Sequence, residues 1–187
     1  MINSFFEELK KNNIIAYICG GKAFNYHFDK NNSTYDTDIH IFLNFDQINN
    51  KYTFEYIYNC IKKLHCNLKK NDKNILPLKK FDYSKLNQKY IPKNLLGKID
   101  SYYNYSTICD IQISNYLDTV FDISVIFSSE IDFIKKNITE NFIISKDLYI
   151  KQQKKFLNDL SNFNNKFLSK RLKISNRLDY INSIIKE

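Results

Sequence analysis

The chain has no tryptophan, one methionine, two prolines and three glycines in 187 residues. It has two arginines against 26 lysines. Nowhere do 18 apolar residues run together, which excludes a membrane-spanning helix. The opening MINSFFEELKK has none of the basic, apolar and small-residue regions of a signal peptide. Cys19, Cys60, Cys66 and Cys109 form no C-x-x-C pair, and a zinc set of Cys60, His65 and Cys66 fits no common spacing. They read as reduced, mostly buried thiols of a cytoplasmic protein. The favoured residues, 27 Ile, 26 Lys and 25 Asn, have A/T-rich codons, so part of the bias reports the genome. Lysine abundance is therefore a weak signal for nucleic acid. The net charge of +8 still creates a field that attracts polyanions.

With glycine so scarce, the adjacent pair Gly20-Gly21 stands out. It ends an apolar, β-branched run, Ile14 to Cys19, and precedes a short helical pattern from Lys22 to Phe28. Glycines after a strand let backbone amides approach phosphate oxygens, and the helix that follows adds its positive end. Lys22 is placed to reach a phosphate. Next comes Asp36-Thr37-Asp38, leading into the apolar Ile39, Ile41 and Leu43. Alternate residues of a strand share a face, so Asp36 and Asp38 point the same way. Two such carboxylates raise each other's pKa unless a cation lies between them. A divalent metal held near triphosphate oxygens is such a cation. A two-metal site needs a third carboxylate on a neighbouring strand. Asp122, in Phe121 to Phe127, is favoured over Asp110, in Ile108 to Ile113, because a mid-strand charge among apolar neighbours is expensive without a partner.

The remaining pattern is of an α+β domain. Ser4 to Glu7 reads as a capping box. Thr53 is placed to cap a helix over Phe54 to Leu64. Asn67 to Lys80 is lysine-rich, contains Pro77 and reads as loop or short broken elements, whose Lys69, Lys70, Lys73, Lys79 and Lys80 suit RNA or simply water, and residues 82–104, with Gly97, are ambiguous. Ser106 to Ser114 and Thr119 to Phe127 are strands joined by a hairpin-length Asn115 to Asp118. A helix begins near Ser129. From Asp147 the chain is helix-periodic, with apolar Phe156, Leu157, Leu160, Phe163, Phe167 and Leu168, and a break at Asn162 to Asn165. His27, His40 and His65 read as ordinary residues, His40 as a partly exposed one on the face of the aspartates. Most of the 14 tyrosines and 15 phenylalanines must fill the core.

The order strand, Gly-Gly, helix, D-x-D strand resembles the nucleotidyltransferase superfamily. Within it, Gly20-Gly21, the run Thr34-Tyr35-Asp36-Thr37-Asp38 and the later Phe121-Asp122-Ile123-Ser124 resemble the catalytic subunits of poly(A) polymerases from large cytoplasmic DNA viruses and related cytoplasmic genetic elements. The tail is similar too, with Leu148 to Ile150 opening a helix studded by Lys166, Lys170, Arg171, Lys173 and Arg177. The resemblance implies a nucleotidyltransferase fold: a mixed sheet of about five strands with helices on one face, the catalytic domain over residues 1–140 and a helical hairpin tail over 141–187. It implies two Mg²⁺ or Mn²⁺ ions on Asp36, Asp38 and Asp122, ATP held by Gly20, Gly21 and Lys22, and an RNA 3′ end as acceptor, in mRNA processing in the cytoplasm. Enzymes of that family are usually much longer, so a homodimer or a partner protein is expected to complete the RNA groove. Two other readings stay open. One is a small nucleotidyltransferase acting on tRNA, protein or a small molecule, and the other is a non-catalytic RNA- or polymerase-binding module of the same fold.

Overall fold

Apolar–polar alternation over Phe121 to Val125 and Asp110 to Ser114 gives each segment one oily face, and TVFDISVIF and STICDIQIS are each a strand in the computed structural model of the chain. The structure describes residues 2–30, 36–79, 106–128, 130–161 and 168–185. Its elements run α1 (Ile2–Lys11), β1 (Ile15–Ile18), α2 (Gly20–Phe28), β2 (Thr37–Leu43), α3 (Phe45–Ile48), α4 (Lys51–Asn71), β3 (Ser106–Ser114), β4 (Thr119–Phe127), α5 (Ile131–Lys136), α6 (Lys146–Ser161) and α7 (Leu168–Ile185). The architecture is α+β. Among the described residues no helix is long and apolar enough to cross a membrane.

The described strands form one four-stranded mixed sheet in the order β1-β2-β4-β3, one strand fewer than expected. β1 and β3 run antiparallel to their neighbours, while β2 and β4 are parallel. The β3–β4 turn is closed by Asn115, whose side-chain oxygen accepts from the amides of Leu117 at 2.9 Å and Asp118 at 2.7 Å. Such an Asx turn is the local reason for the hairpin.

Helices cover both faces of the sheet, where the sequence led us to expect one. On the first face, Ile39, Ile41 and Leu43 of β2 and Ile123 and Val125 of β4 pack with Phe5, Phe6 and Leu9 of α1 and Phe54, Ile57, Ile61 and Leu64 of α4. On the second, Tyr17, Phe42 and Ile126 pack with Phe24 of α2, Leu148 and Tyr149 of α6 and Ile174, Leu178 and Ile181 of α7. The second layer was not foreseen because only a few positions per strand on that face are apolar, too few to register as a pattern.

Local boundaries also moved. Gly20 and Gly21 form the first turn of α2, which begins two residues before the expected Lys22. α4 is capped by Asn50 and not Thr53, and runs on to Asn71, so Lys69 and Lys70 belong to its last turn and not to a loop. Asn44 opens the unforeseen α3 through a capping box with Gln47. Ser4 lies inside α1, which starts at Ile2. The expectations for Thr34, Tyr35, Lys80, residues 82–104 with Gly97, and Asn162 to Phe167 with Lys166 lie outside the described residues, as do the side chains of Phe156 and Leu160.

Ile123 is fully buried in mid-β4 and Leu117, at the hairpin tip, is 92% exposed. Ile123→Ala should lower the unfolding free energy by about 2–5 kcal/mol in urea titration. Leu117→Asn should stay within about 0.5 kcal/mol of the parent.

Candidate functional site

The register of the parallel pair builds the site. Asp38 of β2 lies directly opposite Asp122 of β4, and His40 opposite Ser124. Across the β3–β4 ladder, Asp122 faces Gln112 and Ser124 faces Asp110. One sheet face therefore carries two polar rows, Asp38-Asp122-Gln112 and His40-Ser124-Asp110. Both candidates for a third carboxylate lie on the face of Asp38. Asp122 stands against Asp38 and lines a cleft of about 510 Å³ together with Asp36. Asp110 is exposed beyond the lining and accepts a hydrogen bond from the Ser124 hydroxyl at 2.6 Å.

The Gly-Gly turn closes one end of that cleft. Gly20 sits at φ +62°, and a Cβ there would overlap the Asp38 carboxylate. Any L side chain is excluded both by conformation and by space. The Gly21 amide donates to the Asp38 carboxylate. The Cys19 amide donates to the Asp38 carbonyl at 3.0 Å, with its thiol 3.6 Å from the same oxygen. The turn and the acidic strand are thus one unit. Lys22 is exposed on α2 and does not line the cleft.

Burial, then the charges of Asp36 and Asp122, push the Asp38 carboxyl above the usual carboxylate range, against the pull of the Gly21 amide and Lys173. Burial, then Asp110, push Asp122 up, against a hydrogen bond from Gln112 and the charge of Lys170. Burial and the aspartates also hold the Cys19 thiol well above its ordinary value, which makes it an inert structural group. His40 is partly exposed on the face of the aspartates, as expected. Its ring packs at 5.7 Å from Tyr17 and 6.0 Å from Phe42 in the cleft wall, and burial with the charge of Lys170 drops it to about 4. The imidazole is neutral at physiological pH.

The opposite wall comes from the tail. Lys170, Lys173 and Arg177 of α7 fall on one helical stripe and face the acidic strands across the cleft, with Gln152 and Gln153 of α6 beside them. Arg177 has its guanidinium 5.5 Å from the Phe24 ring centre, and its charge acts on the Tyr149 hydroxyl. The sequence marked these cations as an RNA-facing tail. Their spacing was legible, but their direction was not, because it depends on how α7 packs. Gln152 and Gln153 were missed, since an amide in a charged helix carries no signal until its burial is known.

Among the described residues, no three His, Cys, Asp or Glu side chains form a ready-made metal cage. Mg²⁺ does not require one, because it keeps several waters and takes one or two carboxylates plus substrate phosphates. Hard oxygen donors whose proton affinity is raised by their neighbours suit such an ion. The residues present fit Mg²⁺ or Mn²⁺, with Asp38, Asp122 and Asp36 as the donors.

Raised carboxyl pKa values mean that the folded chain keeps these protons to higher pH than the unfolded chain does. The contribution to stability is most favourable at low pH and declines as pH rises from the ordinary carboxylate range through the folded values. Asp38→Asn should therefore raise the melting temperature at pH 7 in metal-free buffer, and the gain should shrink towards zero near pH 3. A melting series across pH checks the sign.

No family model, no curated protein and no solved structure matches this chain.

Proposed function

We propose that the cleft is the site of nucleotidyl transfer, in which an RNA 3′-hydroxyl attacks the α-phosphorus of ATP and pyrophosphate leaves. The observation that carries this reading is the pairing of Asp38 with Asp122 under a Gly-Gly turn, faced by a wall of cations. An acidic floor alone suits many cations, and a basic wall alone suits many anions. The two facing each other suit a polyphosphate that arrives with its metal.

Two divalent ions on Asp36, Asp38 and Asp122 would activate the hydroxyl and offset triphosphate charge. The protein's own groups do the rest. Gly20 leaves room for the Asp38 carboxylate against the backbone, and the Gly21 amide donates to it, so the turn holds that carboxylate in place. Lys170 and Lys173 neutralise phosphate oxygens from the far wall, and Arg177 offers its planar fork. His40, uncharged, takes no part as a general acid. Adenine as the base and RNA as the acceptor rest on the likeness to viral poly(A) polymerases, with support from the net charge of +8. A homodimer or a partner protein would supply the rest of the RNA groove.

Primer extension with each nucleotide offered separately, in Mg²⁺ or Mn²⁺, tests the reading. ATP should be incorporated, Asp38→Ala and Asp122→Ala should abolish extension without unfolding the chain, and Asp110→Asn should keep most of it. Lys173→Ala should weaken triphosphate binding by about tenfold, the loss of one charge-assisted contact. Binding of RNA should weaken steeply with added salt. Wild-type turnover in either alanine variant overturns the assignment. Labelling of a protein in preference to RNA would favour a protein-modifying enzyme on the same site.

A further inference from the structure

The hairpin between β3 and β4 ends in two large side chains that its turn does not require. Tyr116 is 76% exposed and Leu117 92%. Turns favour small polar residues for the bend itself. Asn115 and Asp118 already meet that need, since the Asn115 side chain accepts from the amides of Leu117 and Asp118 and its own amide donates to the Asp118 carbonyl at 2.9 Å. The tip is also pinned from outside. Ile75 bridges Asn115, and the Leu76 amide donates to the Ser114 carbonyl at 2.9 Å. An exposed aromatic ring on a fixed turn is a contact surface that loses little freedom when a partner arrives.

The outside anchor brings the end of α4 to the tip. Lys69 and Lys70 in its last turn and Lys73 just beyond are exposed, and among the described residues none of the three forms a salt bridge. The acids on these segments are Asp72 and Asp118, and Asp72 accepts from the Asn74 amide at 2.8 Å. Lysines at a helix end answer to its dipole. Lysines beside an exposed ring make the pairing of positive charge and stacking face that suits single-stranded nucleic acid. The place fits as well. Leu117 lies five residues before Asp122, no more than about 17 Å along the chain. Asp38 is the second residue of β2 and pairs with Asp122 near the start of β4, so the acidic pair lies at the end of the sheet that carries the tip.

We propose that the Tyr116-Leu117 tip, with Lys69, Lys70 and Lys73, grips the acceptor RNA upstream of its 3′ end. Tyr116 stacks on a base, and the lysines neutralise phosphates. This rests on the reading of RNA as the acceptor. Every base has a face to stack on, so the grip tolerates any sequence.

The test is fluorescence anisotropy of a labelled single-stranded RNA of about 15 nucleotides with the full chain across a salt series. Calorimetry of ATP with Mg²⁺ is the control. Tyr116→Ala should weaken RNA binding by about tenfold and leave the salt slope unchanged, and Tyr116→Trp should restore the affinity. Lys69→Gln, Lys70→Gln and Lys73→Gln together should reduce the salt slope by about 2, at about 0.7 for each phosphate contact on a single strand. All these positions are exposed, so the variants should fold, and ATP affinity should stay at the wild-type value. Wild-type RNA affinity in Tyr116→Ala, or an unchanged slope in the triple variant, overturns the inference and leaves the RNA acceptor standing. A wild-type chain that binds ATP but no RNA overturns both. Loss of self-association in Tyr116→Ala, read by sedimentation, with RNA affinity unchanged makes the tip a protein contact and overturns the inference.

Discussion

Asp38 and Asp122 stand side by side in a partly buried cleft, where burial first and neighbouring carboxylates second disfavour their charge, and the other features of the cleft answer to that cost. The pair arises from the register of β2 on β4. That register is set on the other sheet face, where Ile39 pairs with Ile123, Ile41 with Val125 and Leu43 with Phe127. A slip of one residue would turn these side chains out of the core and the aspartates into it. The apolar face thus holds the acidic face in place. What hydrophobic burial enforces, the local groups then relieve: an amide from Gly21, an amide from Gln112, and the charges of Lys173 and Lys170. Relief is partial, since both carboxyls remain above their ordinary range. The site as it stands is short of positive charge.

The location of the cleft follows from where apolar residues run out. Along β2 the second face reads Phe42, His40, Asp38, passing from fully buried to partly buried. Along β4 it reads Ile126, Ser124, Asp122. Helices α2, α6 and α7 settle on the apolar ends, at Phe42 and Ile126. They cannot settle on the polar ends without burying unpaired charge. The gap left beneath them is the cleft, and the helix flanks that overhang it supply its far wall.

The strands and the acidic pair were legible because they depend on short-range pattern. β3 and β4 were located to the residue from alternation alone, and the Asp36-x-Asp38 spacing fixed a shared face before any fold was known. Choosing between Asp110 and Asp122 required the ladder. Both lie on the right face, and only the pairing partner of Asp38 separates them. The second helical layer, the two glutamines and the inward turn of the basic stripe were not legible. Each depends on contacts between segments more than a hundred residues apart, such as Gln152 with Tyr17. The glycine pair lay between these extremes. Its rarity marked it, but its reason, the Asp38 carboxylate in the space of a Gly20 Cβ, is a tertiary fact.

The compositional bias of the chain gives the basic wall its weight. Lysine is abundant enough that the two lysines of the wall, Lys170 and Lys173, carry little meaning by themselves. Arginine is different, because the chain has only two, Arg171 and Arg177, and both fall on α7. A bias towards A/T-rich codons explains lysine in place of arginine and leaves retained arginine to be explained. Arg177 lines the cleft, beside Phe24 from α2 and Tyr149 from α6. A planar fork recognises paired oxygens where a lysine would offer only a point charge. Lysine at 177 would keep the sign of the wall and lose its geometry. A wall that needed only to be positive would have no reason to depart from lysine there, and Arg177 is the one cation of the described lining able to engage paired oxygens through two parallel bonds.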